Sequence, residues 1–211
     1  MKIFENISES IKTADEISAL SFVNKAISDG IPAAVILNDG LICGMNIVGE
    51  LFAKRIIFLP DVLMSAKIMK KCIEILKPYL AEENFTYKAK IVIGTVKGDL
   101  HDIGKNLIGI MLNGAGFKVI DLGNNVSSEK FVETAISEGA SIIGLSALLT
   151  TTMSGMKEVI NILSEKNIND IKVIIGGAPV TKNYALEIGA DGYGYDAANA
   201  VQLVKNLLNL N

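Results

Sequence analysis

The sequence predicts an α/β protein in two parts: a helical bundle, then a parallel sheet with helices on both faces. Three observations carry this. Before residue 88, apolar residues recur at three- and four-residue spacing, and no segment reads convincingly as a strand. After it, short β-branched runs alternate with amphipathic stretches, the pattern of strand–helix repeats. Those runs are continuously apolar, as strands buried on both faces are.

In the first part, Ile17, Leu20, Val23 and Ile27 form one apolar stripe, and Leu41, Met45, Val48 and Phe52 a second. The longest is Val62, Ala66, Met69, Ile73, Leu76 and Leu80. Breaks are expected at Asp29-Gly30, Asn38-Asp39-Gly40 and Leu59-Pro60. Pro60 suits the first turn of the next helix and Pro78 suggests its end. Short loops between these helices imply a small bundle. The polar stretch Glu82–Lys88 reads as a linker.

In the second part the expected strands are Lys90–Val96, Phe117–Leu122, Ser141–Ser146 and Lys172–Ile175, with a short edge segment at Gly192–Tyr195. The expected helices are Gly104–Gly114, Ser128–Glu138, Met153–Lys166, Thr181–Ile188 and Ala197–Leu208. This is a doubly wound sheet of the flavodoxin- or Rossmann-like kind. Ligands of such sheets sit beyond the carboxyl ends of the strands. The loops that matter therefore start near Gly98, Gly123, Ser146 and Gly176.

Composition narrows the function classes. Half of the 211 residues are hydrophobic, which suits a packed core rather than a disordered chain. No apolar run reaches the ~18 residues of a membrane span, and the first residues lack a secretory pattern. Lysines and acids are interspersed, the formal net charge is −3, and Arg55 is the sole arginine, so nucleic acid is not an expected partner. Cys43 and Cys72 lie in apolar, helix-like stretches and read as buried, reduced thiols of a cytoplasmic protein.

The loop Gly98-Asp99-Leu100-His101-Asp102-Ile103-Gly104 follows the first strand and holds the only histidine of the chain. A lone loop histidine is commonly just solvated. A zinc site needs further strong ligands, and the sequence clusters none around it. One histidine is enough as an axial ligand to a metal already held by a macrocycle. A carboxylate two residues earlier, Asp99, can take the other imidazole N–H and fix the tautomer. Asp102 reads as a helix cap or a solvated acid. The third strand runs into Ser146-Ala147-Leu148-Leu149-Thr150-Thr151-Thr152, an N-cap region or a polar slot for an aromatic base. The fourth runs into Gly176-Gly177, a tight turn or a place for backbone to approach a flat ligand. Each motif is weak alone. All three at strand carboxyl ends are jointly specific.

These motifs resemble the cobalamin-binding domain shared by methionine synthase and the corrinoid proteins of methyltransferase systems. In that family the histidine of Asp-x-His-x-x-Gly replaces the cofactor's benzimidazole as ligand to cobalt, and the freed tail threads beside Ser-x-Leu and Gly-Gly motifs. The matching positions are Asp99, His101, Gly104, Ser146, Leu148, Gly176 and Gly177. Gly98, Asp102 and Ile103 belong to the same loop. Thr152 aligns with a serine that extends the Asp–His relay, and Ser146 and Thr150 with hydroxyls that contact the tail. Asp39-Gly40-Leu41-Ile42, Val48-Gly49-Glu50-Leu51-Phe52 and Phe58-Leu59-Pro60 resemble the family's helical cap, in which the positions of Phe52 and Leu59 cover the methyl-bearing face of the corrin. By periodicity alone both are core residues.

The resemblance implies a helical cap over 1–88 and a cobalamin-binding α/β domain over 89–211. It implies a carrier of methyl groups on cobalt, with His101 binding and releasing the metal through the cycle and a cap that moves. With no separate substrate domain, the chain is expected to be a carrier subunit rather than a complete enzyme. Its expected partners are a substrate-loading methyltransferase, an acceptor methyltransferase using a folate or thiol coenzyme, and a reductive activase. A carbon-skeleton mutase subunit shares the histidine loop but lacks the cap. A cobalamin-dependent sensor would need an output module, and none is legible.

Overall fold

The computed structural model describes residues 2–83 and 85–210. Asn84 of the expected linker, and Met1 and Asn211 at the ends of the expected domains, lie outside them. The chain divides into two compact units, residues 1–87 with 113–116, and residues 88–112 with 117–211.

The first unit is helical: α1 (Lys2–Lys12), α2 (Glu16–Ser28), α3 (Ala33–Val35), a π-helical segment (Ile36–Ile42), α4 (Cys43–Ala53) and α5 (Leu59–Glu82). Asp15 caps α2 by accepting from the Ser18 N–H at 3.1 Å. The expected break at Asn38-Asp39-Gly40 is absent, because α3, the π segment and α4 form one helix, Ala33–Ala53. Gly40 serves packing instead of turning. A Cβ there would lie 2.9 Å from Ile7 Cγ2, and the Ser8 hydroxyl donates to the Gly40 carbonyl at 2.8 Å. This helix is long and apolar enough to cross a membrane (mean hydropathy 1.4), yet Ile36, Leu41, Met45 and Val48 are buried within the bundle.

Three further expectations fail here. Ile17 is 84% exposed; Ala19, Val23 and Ala26 carry the buried face of α2. The sequence stripe favours the larger side chain, whereas close helix packing favours the small ones. Pro78 does not end α5, which runs one turn further to Glu82. Pro78 forgoes only the bond to the Glu74 carbonyl. The helix end is held from outside, because the Glu83 carboxylate accepts from the Ala33 and Ala34 N–H groups at 2.7 and 2.9 Å. The expected linker thus begins with the cap of another helix. Finally, Cys43 is exposed and only Cys72 is buried. Burial, reinforced by Glu16, pushes the Cys72 thiol up to about 11. Alkylation of the native protein is expected to label Cys43 rapidly and Cys72 only on unfolding; equal labelling rates would contradict these placements.

The second unit carries strands β1 (Lys90–Thr95), β2 (Lys118–Asp121), β3 (Ile142–Ser146), β4 (Lys172–Gly176) and β5 (Gly192–Gly194). They pair in parallel in the order β2-β1-β3-β4-β5. The helices are α6 (Ile103–Gly114), α7 (Ser128–Glu138), α8 (Ser154–Glu165), α9 (Lys182–Ile188) and α10 (Ala197–Leu207). Local chemistry sets their ends. Ser127, Thr181 and Asp196 cap α7, α9 and α10, while Gly139 and Gly189 end α7 and α9 in the left-handed region.

Side-chain alternation divides the sheet. Val92, Ile143, Leu145, Val173 and Ile175 share one buried cluster with residues of α7, α8 and α9. On that face Gly94 admits Phe131 of α7, whose ring lies 2.6 Å from where a Cβ would stand. Ile93, Gly144 and Ile174 face the other side, where Ile108 of α6 and Ala200 of α10 stand across from them.

Candidate functional site

The β1–α6 loop leaves the sheet at the carboxyl end of a central strand, as the doubly wound topology requires of a ligand loop. Asp99 is fully buried there. Its Oδ1 lies 2.8 Å from His101 Nδ1 and accepts from the His101 N–H at 3.1 Å. Its Oδ2 accepts from the Leu148 and Leu149 N–H groups at 2.7 and 3.1 Å and from the Thr152 hydroxyl at 3.0 Å. Burial pushes the Asp99 pKa up, but the bonds from His101, Leu148 and Leu149 outweigh it and hold the carboxyl well below the usual range. An ionised carboxylate can only accept, so Nδ1 of His101 donates to Asp99, and Nε2 is the nitrogen whose lone pair the neutral ring offers to a metal. Thr152 has a single hydroxyl proton and a second acceptor, the Leu149 carbonyl at 2.8 Å, so its link to Asp99 is shared.

Apolar side chains are exposed on the loops that Asp99 ties together. His101 is 53% exposed, and Leu100, Ile103, Leu148 and Leu149 expose apolar surface from the same two loops. A single exposed leucine needs no explanation, but three leucines and an isoleucine exposed on the two loops that share Asp99 make an apolar surface.

Beside it a cavity of ≈ 250 Å³ opens between the sheet and the helices α6 and α10. Its sheet wall holds Ile93, Gly144 and Ile174, and Gly104, Ser146 and the Gly176-Gly177 pair also line it. Gly144 explains the space. The atoms nearest to a Cβ there would be those of Ile93 and Ile174 in the sheet itself, at 3.2 Å and 3.7 Å, and the cavity lies over this part of the face. Narrow apolar walls with a few polar groups suit a flat heteroaromatic ring.

The structure brings Asp99, His101, Leu148 and Thr152 into one hydrogen-bonded group and places Gly104, Ser146, Gly176 and Gly177 around the cavity. Gly98 and Ile103 flank the histidine loop. Asp102 precedes α6, its carbonyl accepting from the Asn106 N–H at 2.8 Å. Thr150 is exposed in a 3₁₀ turn and is not among the cavity's lining residues. Phe52 and Leu59 belong to the first unit, half-buried on α4 and at the start of α5.

Sequence reading did not single out Gly144 or Lys105. Lys105 lines the cavity, is 3% exposed, and donates to Asp121 at 2.6 and 2.7 Å and to Asn106 Oδ1 at 2.6 Å. The available signal was a lysine in the first turn of an apolar helix, where a cation needs a partner to be buried.

Family models described as B12 binding domains match residues 89–202 and 3–77. The chain is 43% identical to a corrinoid protein of Desulfitobacterium hafniense over 99% of its own length and 98% of that protein. It is 41% identical to dimethylamine corrinoid protein 1 of Methanosarcina acetivorans, over 98% of each. Among solved structures, the methanol:cobalamin methyltransferase complex MtaBC of Methanosarcina barkeri matches with TM-score 0.87 at 31% identity, over 99% of this chain and 80% of that one. A cobalamin-binding protein of Desulfitobacterium hafniense matches with TM-score 0.80 at 32% identity, over 96% and 97%.

Proposed function

The chain belongs to the B12-binding corrinoid proteins, and from that premise we propose that it holds cobalamin through His101, with the cofactor's own base displaced, and shuttles methyl groups between two methyltransferases. Corrinoid binding and a methyl-carrier role in a methyltransferase system follow from the family itself. The observation that carries the finer reading is the buried Asp99, which occupies Nδ1 of a half-exposed His101 and leaves Nε2 available.

The residues fit the group. A corrin needs one axial nitrogen from the protein, and among the described residues no cluster of three or more His, Cys, Asp or Glu side chains competes for the metal. A displaced aromatic base needs a slot, and Gly144 leaves one open. When bound, the corrinoid supplies the cobalt that accepts and gives up the methyl group. Asp99 orients the imidazole and raises its basicity as a ligand. Thr152 shares its proton between Asp99 and a backbone carbonyl, so the relay gains or loses one donor without moving a residue. Leu100, Ile103, Leu148 and Leu149 would help to exclude water from the bound group. Phe52 and Leu59 would help to shield the cofactor, with residues 1–88 as the helical cap and residues 89–211 as the cobalamin domain.

The loading enzyme takes its methyl group from a small donor such as a methylamine, methanol or a methoxyaromatic, and the acceptor enzyme passes it to a folate or a thiol. A reductive activase and a cytoplasmic location complete the proposal, because the reduced metal needs a reducing compartment.

The test begins with hydroxocobalamin, added in excess and then removed by gel filtration. One cobalamin retained per chain is expected; failure to retain it overturns the proposal. Reduced to cobalt(II), the complex is expected to show paramagnetic-resonance splitting from one protein nitrogen, abolished in His101→Ala. Splitting that survives in His101→Ala removes His101 as the ligand. Gly104 gives an independent check, since no heavy atom lies within 4 Å of where its Cβ would stand. Gly104→Ala is expected to leave the apoprotein as stable or about 0.5–1 kcal/mol more stable. It is expected to weaken cobalamin retention roughly tenfold by filling the site. Undiminished retention would move the cofactor away from this glycine.

A further inference from the structure

We propose that Asn125, aided by Asn124, is a positioning residue for His101, so that the loop after β2 sets how strongly the histidine holds the metal. The inference rests on His101 being the cobalt ligand.

The imidazole is 53% exposed, so beyond its bond to Asp99 its position depends on the backbone that carries it. That backbone is held from outside at three successive carbonyls. The Asp99 carbonyl accepts from the Asn125 N–H at 3.0 Å, the Leu100 carbonyl from Asn124 Nδ2 at 3.3 Å, and the His101 carbonyl from the buried Thr95 hydroxyl at 2.9 Å. The loop start is held as well, because the Gly98 N–H donates to Asn125 Oδ1 at 2.8 Å. Asn125 therefore grips the loop twice, once through its backbone and once through its side chain.

It can do so because its φ is +52°, in the left-handed region. Asparagine enters that region more readily than other side-chain-bearing residues. The loop bearing it is itself fixed to the sheet. The Thr95 N–H donates to the Gly123 carbonyl at 2.9 Å, and the Val126 N–H donates to the Thr95 carbonyl at 3.0 Å. Thr95 thus holds both loops, and the asparagines join them. A ligand loop fixed in advance loses little entropy when the metal binds, which strengthens the bond.

The variants separate backbone from side chain. Asn125→Gly keeps the left-handed conformation and removes the Oδ1 acceptor. Asn125→Asp keeps both. Asn124→Ala removes only the longer bond. Each protein is loaded with cobalamin, reduced to cobalt(II) and titrated at one pH with ¹⁵N-imidazole. The doublet of the free ligand replaces the triplet of the protein's ¹⁴N in the paramagnetic-resonance spectrum. The half-displacing concentration is expected to fall roughly tenfold in Asn125→Gly and about threefold in Asn124→Ala, the sizes expected for lost ordering hydrogen bonds. Asn125→Asp should stay within twofold of the wild type. Apoprotein melting should barely change, since both asparagines are exposed.

Half-displacing concentrations within twofold of the wild type in both Asn125→Gly and Asn124→Ala overturn the inference while leaving His101 as ligand. If Asn125→Gly fails to fold, Asn124→Ala decides alone. A wild-type spectrum without protein nitrogen coupling overturns the ligand reading and this inference with it.

Discussion

Asp99→Ala is expected to destabilise the apoprotein by about 3–5 kcal/mol, the usual effect of breaking a buried charged group out of its partners. Asp99 is fully buried and is the shared acceptor of two loops. Removing it strands the Leu148 and Leu149 N–H groups, frees the His101 N–H and leaves Nδ1 without an acceptor. Thr152 loses least, because its hydroxyl still has the Leu149 carbonyl. Asp99→Asn should recover only part of the loss, since one amide end would donate where donors already point. Urea unfolding at neutral pH measures the cost, and a value below about 1 kcal/mol would show that water replaces the carboxylate freely.

The pH dependence follows from the same bonds. The folded pKa of Asp99 lies below its unfolded value, so the carboxylate contributes all its stability above an unfolded pKa of about 4. That contribution is lost as pH falls through the lower folded value. The difference between wild type and Asp99→Ala should be flat at neutral pH and shrink below about pH 4. A difference that stays constant down to acid unfolding would mean that Asp99 is not the group that titrates.

What was legible in the sequence divides by the range of the interaction. The Asp-x-His loop, the Ser-x-Leu run and the two adjacent glycines stand next to apolar runs, so their place at strand ends could be read locally. The alternating strands and helices of the second unit were legible for the same reason: helix Ser128–Glu138 was read with both ends correct. Contacts between distant segments were not. The grip of Glu83 on Ala33 and Ala34 carries α5 past Pro78. Gly40 looks like a breaker until Ile7 is placed against it. Gly144 is one more small residue in an apolar run until the empty face of the sheet is seen. Asn125 is an ordinary turn residue by sequence, and its bonds reach back to Gly98 and Asp99. Thr152 was legible only through the family pattern, because a residue fifty-three positions from Asp99 gives no local sign of meeting it.

Gly177→Ala is expected to be the most damaging single methyl added to this site. A Cβ at Gly177 would stand 1.8 Å from the Ala147 carbonyl oxygen, and its φ of +129° is one that side chains rarely adopt. Both effects act on backbone, which cannot yield as a flexible side chain can. A stability loss of about 3 kcal/mol or more is expected, together with loss of cobalamin retention. The damage should spread, because the Ala147 N–H donates to the Gly176 carbonyl at 3.2 Å and Leu148, the next residue, is anchored on Asp99. Pushing Ala147 away therefore pulls on the carboxylate that orients His101. Gly104→Ala places the same methyl group near the same cavity, but in open space. Comparing the two separates a glycine that the backbone requires from one that the ligand requires. Gly177→Ala should lower both melting temperature and retention, and Gly104→Ala retention alone. A Gly177→Ala protein melting within about 2 °C of the wild type, well under the shift such a loss implies, would mean that the end of β4 moves aside without strain.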